Sequence, residues 1–363
     1  MKQQMNYLHF YEKYNSNRFI QLLLYLCSLI FLIVYKSRLA LYKLNILKSY
    51  SLPAFVISIG NITSGGTGKT PFTIEVAKHF ISKGFKVGIL SRGYGRQSKN
   101  STEILLVSDG NDILSDVEYS GDEPYLIAKK VPKAIVAVGK DRYKTGKTAL
   151  TLGAEVLILD DGFQHLRLKR NINILMLDSY KPFDNYHLLP AGKLRELPES
   201  LKRANAIVVS NSDRKELDDN VLSIILKTKK NIPLIKTSYK ITELKSLNTK
   251  RNISLNDAKK IRFYAFCGIA NPESFIDLLK RNDLQIANYK AFPDHHTYTY
   301  DDIKIIIDFS VKNNIEDVII TEKDEAKIIE LCQAAPLTFW SAKLEMIFKN
   351  YNAFEDLFSN NKP

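Results

Sequence analysis

The chain has 363 residues, of which 45% are hydrophobic and 25% charged, with 16 Gly and 12 Pro. These values are close to those of globular proteins and exclude collagen-like, disordered and low-complexity chains. At about 150 residues per domain, the length indicates two domains and an additional segment. The cysteines Cys27, Cys267 and Cys332 lie far apart, which argues against a disulfide scaffold or a Cys-based zinc site and favours a reducing compartment.

The net charge of +13 is unevenly distributed along the chain. Residues 1–50 carry seven basic side chains, Lys2, Lys13, Arg18, Lys36, Arg38, Lys43 and Lys48, against the single acid Glu12. A protein that binds nucleic acid would instead spread its basic residues over a folded face. We therefore do not expect nucleic acid to be a partner.

The first predicted element is an apolar helix at residues 19–35, FIQLLLYLCSLIFLIVY, which contains no charged residue. It would be about 26 Å long at 1.5 Å per residue, which is marginal for a hydrocarbon core of roughly 30 Å. No small-residue cleavage site follows it, so a cleaved signal peptide fits poorly. Because basic residues flank it, we expect membrane attachment, either by a short transmembrane helix or by a helix in the interface, rather than burial in a core.

From residue 53 onward, short apolar runs alternate with helical stretches, which is the pattern of βαβ units. The first set predicts a helix at 71–84 and buried parallel strands at 54–60, 85–91, 134–139, 155–161, 171–178 and 206–211. A polar, Lys-rich stretch around 236–260 follows. The second set predicts strands at 261–270, 317–324 and 337–340 and helices at 272–281, 301–313 and 324–331.

The strongest local signal is the glycine-rich segment GNITSGGTGKTPFT at residues 60–73, between a predicted strand and a predicted helix. Backbone N–H groups of such a turn converge on phosphate oxygens, and the following helix N-terminus adds its dipole. Lys69 adds a point charge, and the Thr70 hydroxyl can bind Mg²⁺. Thr63 stands where the strict pattern has its first Gly. The predicted nucleotide-binding residues are Thr63, Ser64, Gly65, Gly66, Thr67, Gly68, Lys69 and Thr70.

A second signal is VLILDDGFQH at residues 156–165, in which four apolar residues precede two carboxylates. A parallel strand here would end at the same sheet edge as the glycine-rich loop, where Asp160 can hold Mg²⁺ directly or through water. Together the two motifs predict Mg²⁺-dependent nucleotide hydrolysis or phosphoryl transfer. They leave the acceptor open.

These elements predict an α/β fold with a P-loop NTPase-like core of parallel strands, a second, smaller α/β domain and an N-terminal membrane-associated helix. We place the membrane-anchoring segment at residues 1–50, the P-loop core domain at 51–235 and the C-terminal α/β domain at 236–363.

Further polar clusters could contact a substrate. They are SRGYGR at 91–96 with Arg92 and Tyr94, SGDEP at 120–124 with Asp122 and Glu123, HLLPAGKLRE at 187–196 with Arg195 and Glu196, and FPDHH at 292–296 with Asp294. A neighbouring His and Asp can form a general base. Both SRGYGR and DHH are also compatible with solvated surface turns, and the spacing of zinc ligands is absent.

Taken in order over residues 15–345, the segments SGGTGKTPFT, SRGYGR, SGDEP, GKDR, LDDGFQH, LPAGKLRE, GIANP, DHH and TEKDEAK resemble the lipid A 4'-kinase (tetraacyldisaccharide 4'-kinase) family. The resemblance implies a lipid kinase that transfers the γ-phosphate of ATP to the 4'-hydroxyl of a tetraacylated glucosamine disaccharide 1-phosphate in lipid A biosynthesis. It also implies two α/β/α domains with the site in the cleft between them, at the cytoplasmic face of the inner membrane.

The same resemblance implies roles for individual residues. Asp122 is expected to accept the proton of the sugar hydroxyl, assisted by His295, which directly follows Asp294. Lys69 is expected to serve the β- and γ-phosphates, and the implied metal ligands are Thr70, Asp160 and Asp161. The implied substrate-binding residues are Arg92, Tyr94, Arg142, Arg195 and Glu196.

The implied cofactors are ATP and Mg²⁺, and the implied partners are the lipid A disaccharide precursor and inner-membrane lipids, with no obligate protein partner. Each buried CH₂ is worth about 0.8 kcal/mol, so a four-chain lipid rarely leaves the bilayer and its kinase benefits from membrane attachment. The alternative is a membrane-associated P-loop ATPase of the partitioning or metal-insertion type. Many of these ATPases carry Lys before the glycine pair, where this chain has Ser64.

Overall fold

The computed structural model describes residues 17–94, 96, 103–249 and 251–359; Lys2 and Lys13 of the predicted basic segment lie outside them. The strands are Phe55–Gly60 (β1), Val87–Ser91 (β2), Leu105–Asp109 (β3), Ile135–Val138 (β4), Val156–Asp160 (β5), Ile172–Asp178 (β6), Ala206–Ser210 (β7), Leu234–Ser246 (β8), Asn252–Ser254 (β9), Arg262–Cys267 (β10), Gln285–Ala291 (β11), Asp317–Thr321 (β12) and Thr338–Phe348 (β13).

The α-helices are Arg18–Lys43 (α1), Lys69–Ser82 (α2), Val117–Ser120 (α3), Asp122–Lys130 (α4), Arg142–Thr151 (α5), Asp219–Thr228 (α6), Leu255–Ala258 (α7), Pro272–Arg281 (α8), Tyr300–Lys312 (α9), Glu322–Cys332 (α10) and Tyr351–Ser359 (α11). A 3₁₀-helix lies at Pro198–Arg203.

The strands form one 13-stranded sheet in the order β11-β10-β12-β13-β8-β7-β6-β1-β5-β2-β4-β3, with β9 paired to β8 beside this path. Neighbours from β8 to β4 run parallel, and antiparallel β3 ends that side. On the other side β13 pairs antiparallel with β8 and parallel with β12, and β12, β10 and β11 continue in parallel. The predicted α/β class with a mostly parallel sheet is confirmed.

Strand β8 joins the two sides of the sheet. Its residues 234–236 pair with β7, and residues 237–246 pair with β13. The sequence pattern does not predict this strand, because exposed Lys240 and Lys245 interrupt the buried positions Ile241 and Leu244. The domain boundary expected near residue 236 falls inside β8.

The carboxyl ends of the central parallel strands lie at one edge of the sheet. The register pairs Ile59 of β1 with Asp160 of β5, and Asp178 of β6 with Ser210 of β7. The loop that follows β1 is therefore next to the acidic end of β5, because neighbouring parallel strands end on the same side.

Helix α1 is docked by one face only. Ser28 donates a 2.7 Å hydrogen bond to the Leu188 carbonyl, Phe31 and Leu32 pack against the core, and Arg38 donates to the Gln164 carbonyl at 2.9 Å. The other face carries large apolar side chains that are 39–73% exposed: Phe19, Leu22, Leu23, Leu26, Leu29, Ile30, Ile33 and Val34. The helix is long and apolar enough to cross a membrane, by length and composition.

The C-terminal helix α11 packs on α2, the helix that follows the glycine-rich loop. The Phe354 ring is 5.9 Å from that of Phe72, and the Phe358 ring is 5.2 Å from that of Phe80. The sequence provides no motif for residues 346–363, yet Phe354 is 1% exposed. Helix α11 thus completes the core beneath the glycine-rich loop.

We expect Phe354→Ala to lower the free energy of unfolding by about 3–5 kcal/mol, because it leaves a cavity among packed aromatic rings. Urea denaturation followed by circular dichroism measures this change. Tyr351→Ala on the same helix is the control: Tyr351 is 48% exposed, so its loss should change the free energy by less than about 1 kcal/mol. A Phe354→Ala cost no larger than that of Tyr351→Ala would contradict the packing role.

Candidate functional site

The glycine-rich loop connects β1 to α2 and depends on the left-handed backbone of Gly68. Gly68 has φ +79° and directly precedes the first residue of α2, Lys69. A Cβ at this glycine would lie 2.1 Å from the hydroxyl of Tyr239 on β8. That hydroxyl is buried and has no hydrogen-bond partner among the described residues. Only glycine therefore fits between the start of α2 and Tyr239.

The two ends of the loop are held differently. Ser64 donates its backbone N–H to the Lys193 carbonyl at 2.7 Å, and Thr63 forms a β-bridge with Leu194. These contacts tie the first part of the loop to LPAGKLRE. The stretch from Gly65 to Thr70 lines an open cleft instead. Of the predicted nucleotide-binding residues, Thr63 and Ser64 thus lie outside the residues that line the cleft.

Asp160 is the last residue of β5 and Asp161 follows it, and the two carboxylates face different partners. Asp160 is 1% exposed and accepts a 3.1 Å hydrogen bond from the Thr73 hydroxyl on α2. Asp161 accepts from Arg195 Nη1 at 2.8 and 3.1 Å, and its Oδ1 lies 3.7 Å from Lys69 Nζ. The Asp161 carboxylate therefore holds Lys69 and Arg195 beside the glycine-rich loop.

The environments drive the pKa values of these neighbouring carboxyls apart. Burial, together with the negative charges of Glu123 and Asp161, raises the pKa of Asp160 to about 7. Burial acts in the same sense on Asp161, but Lys69 and Arg195 outweigh it and hold the pKa of Asp161 below its usual value. Asp160 is therefore a buried carboxyl whose charge the protein leaves largely uncompensated.

The oxygen donors at this edge fit Mg²⁺. The Thr70 hydroxyl and the Asp160 carboxylate both line the cleft, and a cation there would compensate the buried charge of Asp160. Within the described ranges no three His, Cys, Asp or Glu side chains form a metal cluster. Mg²⁺ in nucleotide sites needs only one or two protein ligands, since phosphates and waters supply the rest.

The opposite wall brings Asp122 and His295 together. Asp122 is the first residue of α4, and His295 follows β11 with φ +60°. His295 Nδ1 lies 3.1 Å from Asp122 Oδ2, and the ring of Tyr94 lies 5.6 Å from the imidazole. His296 instead contacts Asp302 at 2.9 Å. Of the two neighbouring histidines, the one that follows Asp294 reaches Asp122.

Two lysines of α10 bind this group of residues: Lys323 lines the cleft and Lys327 lies behind it. Lys323 Nζ donates to Asp294 at 2.9 Å and lies 3.4 Å from His295 Nε2. Lys327 Nζ donates to Asp122 Oδ2 at 3.1 Å. Burial raises the pKa of Asp122, but the hydrogen bond with His295 and the charges of Lys327 and Lys323 outweigh it, so this pKa lies below its usual value.

A cleft of about 890 Å³ contains most of the predicted site residues. It is lined by Gly65, Gly66, Thr67, Gly68, Lys69, Thr70, Arg92, Tyr94, Arg142, Asp160, Asp161, Arg195 and His295. Asp122 is not among the lining residues and reaches the cleft through His295. Arg142 is only 3% exposed and donates to the carbonyls of Gly139 and Asp160.

Glu196 lies away from the cleft. It is 2% exposed and accepts hydrogen bonds from Arg203 at 2.6 Å and from the Tyr35 hydroxyl at 3.2 Å. These contacts link the 3₁₀-helix to α1. The contact of Glu196 with the substrate stays a prediction. In the structure its side chain lies between the 3₁₀-helix and α1.

Lys323, Lys327 and Tyr239 are functional residues that the sequence does not predict. The two lysines lie in TEKDEAK, and their i, i+4 spacing places both on one face of a helix, which could have signalled a shared contact. Tyr239 lies on the unpredicted strand β8, so nothing in its neighbourhood pointed to the glycine-rich loop.

Comparison with known proteins gives one consistent result. A family model described as LpxK, tetraacyldisaccharide-1-P 4'-kinase, matches residues 20–361. The tetraacyldisaccharide 4'-kinase of Syntrophus aciditrophicus is 38% identical over 346 residues, covering 93% of this chain and 91% of that protein. The one from Halothermothrix orenii is 39% identical over 303 residues, covering 80% and 78%. A crystal structure of Aquifex aeolicus LpxK in complex with ATP superposes with TM-score 0.73 and 31% identity, covering 92% of this chain and 96% of that one.

We expect Gly68→Ala to weaken ATP binding at least tenfold, because the methyl group would displace Tyr239 from the loop and force a left-handed alanine at a cost of about 1–2 kcal/mol. Titration calorimetry with ATP measures the change. Gly84→Ala is the control at the other end of α2: its φ is +90°, but nothing lies within 4 Å of an added Cβ. ATP affinity should remain near wild type in that variant, and an unchanged affinity in Gly68→Ala would refute the close approach.

Proposed function

This chain belongs to the tetraacyldisaccharide 4'-kinase family and phosphorylates a tetraacyldisaccharide 1-phosphate with ATP, and from that premise we propose which side chains carry out the transfer. The proposal rests on the contact between Asp122 and His295, which lie 173 residues apart and meet at the cleft of the glycine-rich loop. Phosphoryl transfer depends mainly on positioning and on neutralisation of charge. Both can be assigned to residues of this cleft.

The nucleotide side of the cleft is proposed to be the loop from Gly65 to Thr70. Its backbone N–H groups and the N-terminus of α2 bind the phosphates. Asp161 keeps Lys69 and Arg195 beside them, so both cations can neutralise charge on the transferred phosphoryl group. Mg²⁺, held by Thr70 and Asp160, would supply further neutralisation when bound.

The acceptor side is proposed to be the Asp122–His295 pair, which takes the proton of the sugar 4'-hydroxyl. His295 Nδ1 and Asp122 Oδ2 are 3.1 Å apart, so a proton removed by either group is shared by the pair. Arg92 and Tyr94 line the same wall and supply a cation and a hydroxyl for an anionic sugar phosphate. The site therefore draws on both proposed domains, 51–235 and 236–363.

The lipid is proposed to reach this cleft along α1, with the helix at the cytoplasmic face of the inner membrane. Ser28 and Arg38 bind the rest of the protein, so this part of α1 cannot be surrounded by lipid. The opposite face, with Leu26 and Ile30, remains free to enter the bilayer interface. Arg38 also lines the cleft, so one end of the apolar face adjoins the site.

We expect Asp122→Asn to lower kcat by about 10²–10⁴, because the amide cannot take up the proton. A lipid kinase assay in detergent micelles measures the phosphorylated disaccharide. Asp302→Asn removes the carboxylate from the other His–Asp contact, with His296, and should leave kcat near the wild-type value. Turnover of Asp122→Asn at the wild-type rate would remove Asp122 from the mechanism.

We expect Ile30→Asp to weaken binding to anionic lipid vesicles about tenfold or more, because burial of one such side chain is worth about 1.5–3 kcal/mol. Ile30 is 63% exposed on α1. Flotation with vesicles measures binding. The control Val311→Asp alters a residue that is 56% exposed on α9 and should bind vesicles like the wild type. Equal binding by both variants would argue against the proposed membrane face.

A further inference from the structure

Lys327 is a buried cation whose contacts all lie behind the cleft. Its side chain is 9% exposed, and it is not among the residues that line the cleft. The ammonium group lies 3.1 Å from Asp122 Oδ2 and 3.3 Å from Asp324 Oδ1, and 5.4 Å from the centre of the Tyr298 ring. Lys327 therefore touches the proton-accepting pair and has no access to the substrate.

Asp324 gives this lysine a fixed anchor. The carboxylate is 0% exposed and accepts hydrogen bonds from the Gly268 backbone N–H at 3.1 Å, the Thr321 hydroxyl at 2.6 Å and the Tyr298 hydroxyl at 2.9 Å. These donors come from different elements, so Asp324 cannot turn away. Lys327 is held between a rigid carboxylate and Asp122.

Further ion pairs fix α10 against α4 without Lys327. Lys129 binds Glu325 at 2.7 Å, and Lys130 binds Glu322 at 2.5 Å. Lys343 on β13 contacts both of these glutamates. Although burial opposes ionisation, hydrogen bonds from Lys129 and Lys343 lower the pKa of Glu325 to about 2. The helix pair is thus held in register by charges that do not touch Asp122.

Lys327 and His295 bind the same oxygen of Asp122, Oδ2. A carboxylate that accepts a hydrogen bond from a cation resists protonation, because the charged form is stabilised. The other charged groups near this pair are Lys323, Asp294 and Glu123. The ammonium group of Lys323 faces His295 Nε2 and pairs with the carboxylates of Asp294 and Glu123. Lys327 is the cation that contacts the Asp122 carboxylate directly.

We propose that Lys327 is a positioning residue that keeps the Asp122–His295 pair in its proton-accepting form and aims the carboxylate at the imidazole. This inference rests on the proposed role of Asp122. Loss of the cation makes the pair bind its proton more tightly, so activity falls where the pair becomes protonated, at acid pH, and recovers at higher pH. A lysine that only stabilised the fold would lower activity by the same factor at every pH.

The test is the pH dependence of kcat for purified full-length Lys327→Met at saturating ATP and lipid. The midpoint of the acidic limb should move up by roughly 1–3 pH units, as expected for removal of a contacting opposite charge. KM for ATP and for the disaccharide should stay near the wild-type values, because Lys327 lies outside the cleft. Lys327→Arg, which keeps the charge, should retain the wild-type midpoint.

Lys129→Met is the matched control, since it breaks an ion pair of the same helix interface without touching Asp122. Its acidic limb should coincide with that of the wild type. A Lys327→Met profile lowered equally at all pH values, or an identical shift in Lys129→Met, would overturn the proposal. If Lys327→Met does not fold, Lys327→Gln provides the second neutral variant for the same comparison.

The outcome also separates this inference from the role of Asp122. If Asp122→Asn loses turnover while Lys327→Met shows no shift of the acidic limb, the proton-accepting pair stands and the role of Lys327 is wrong. If Asp122→Asn keeps wild-type turnover, Asp122 is not the proton acceptor, and the proposed role of Lys327, which rests on it, is wrong as well.

Discussion

The active site depends on β8, the strand that pairs with both sides of the sheet. Its first residues extend the parallel strands that end in the glycine-rich loop and Asp160, and its later residues carry β13 and the strands that support His295. Tyr239 of the same strand closes over Gly68. Because one continuous strand sets the distance between the two sides, Asp122 and Lys327 can meet although they lie 205 residues apart.

The site manages its buried charges in two ways. Asp122 and Asp161 are each bound by cationic side chains, which hold the pKa of both carboxyls below its usual value. Among the described residues, the Asp160 carboxylate has the Thr73 hydroxyl as its one side-chain hydrogen-bond partner, and burial raises its pKa to about 7. Neighbouring carboxyls with opposite shifts in pKa mark different tasks. In the proposed function, the compensated carboxylates orient cations and protons, and the uncompensated one holds the metal ion.

The sequence predicted the parts of the molecule that depend on local pattern. The apolar runs that became β1 and β5 and the helix Pro272–Arg281 were found, and the motifs identified the family, which the comparisons confirm. Strand β8 was missed because exposed Lys240 and Lys245 interrupt its buried positions and its partner strand β13 is distant in the chain. Lys327 was missed for a related reason: its contact with Asp122 joins residues that are distant in the chain. The family resemblance implied that Glu196 contacts the substrate, which stays a prediction; its hydrogen bond from Arg203 is a tertiary detail that the resemblance did not provide.

A crystal structure of the chain with a nonhydrolysable ATP analogue, Mg²⁺ and the tetraacyldisaccharide 1-phosphate tests the central claim most directly. We expect the 4'-oxygen within about 2.6–3.2 Å of Asp122 or His295, in line with the γ-phosphate, and Lys327 still bound to Asp122. A 4'-oxygen held by other groups, with the Asp122–His295 pair turned away from the bound nucleotide, would contradict it.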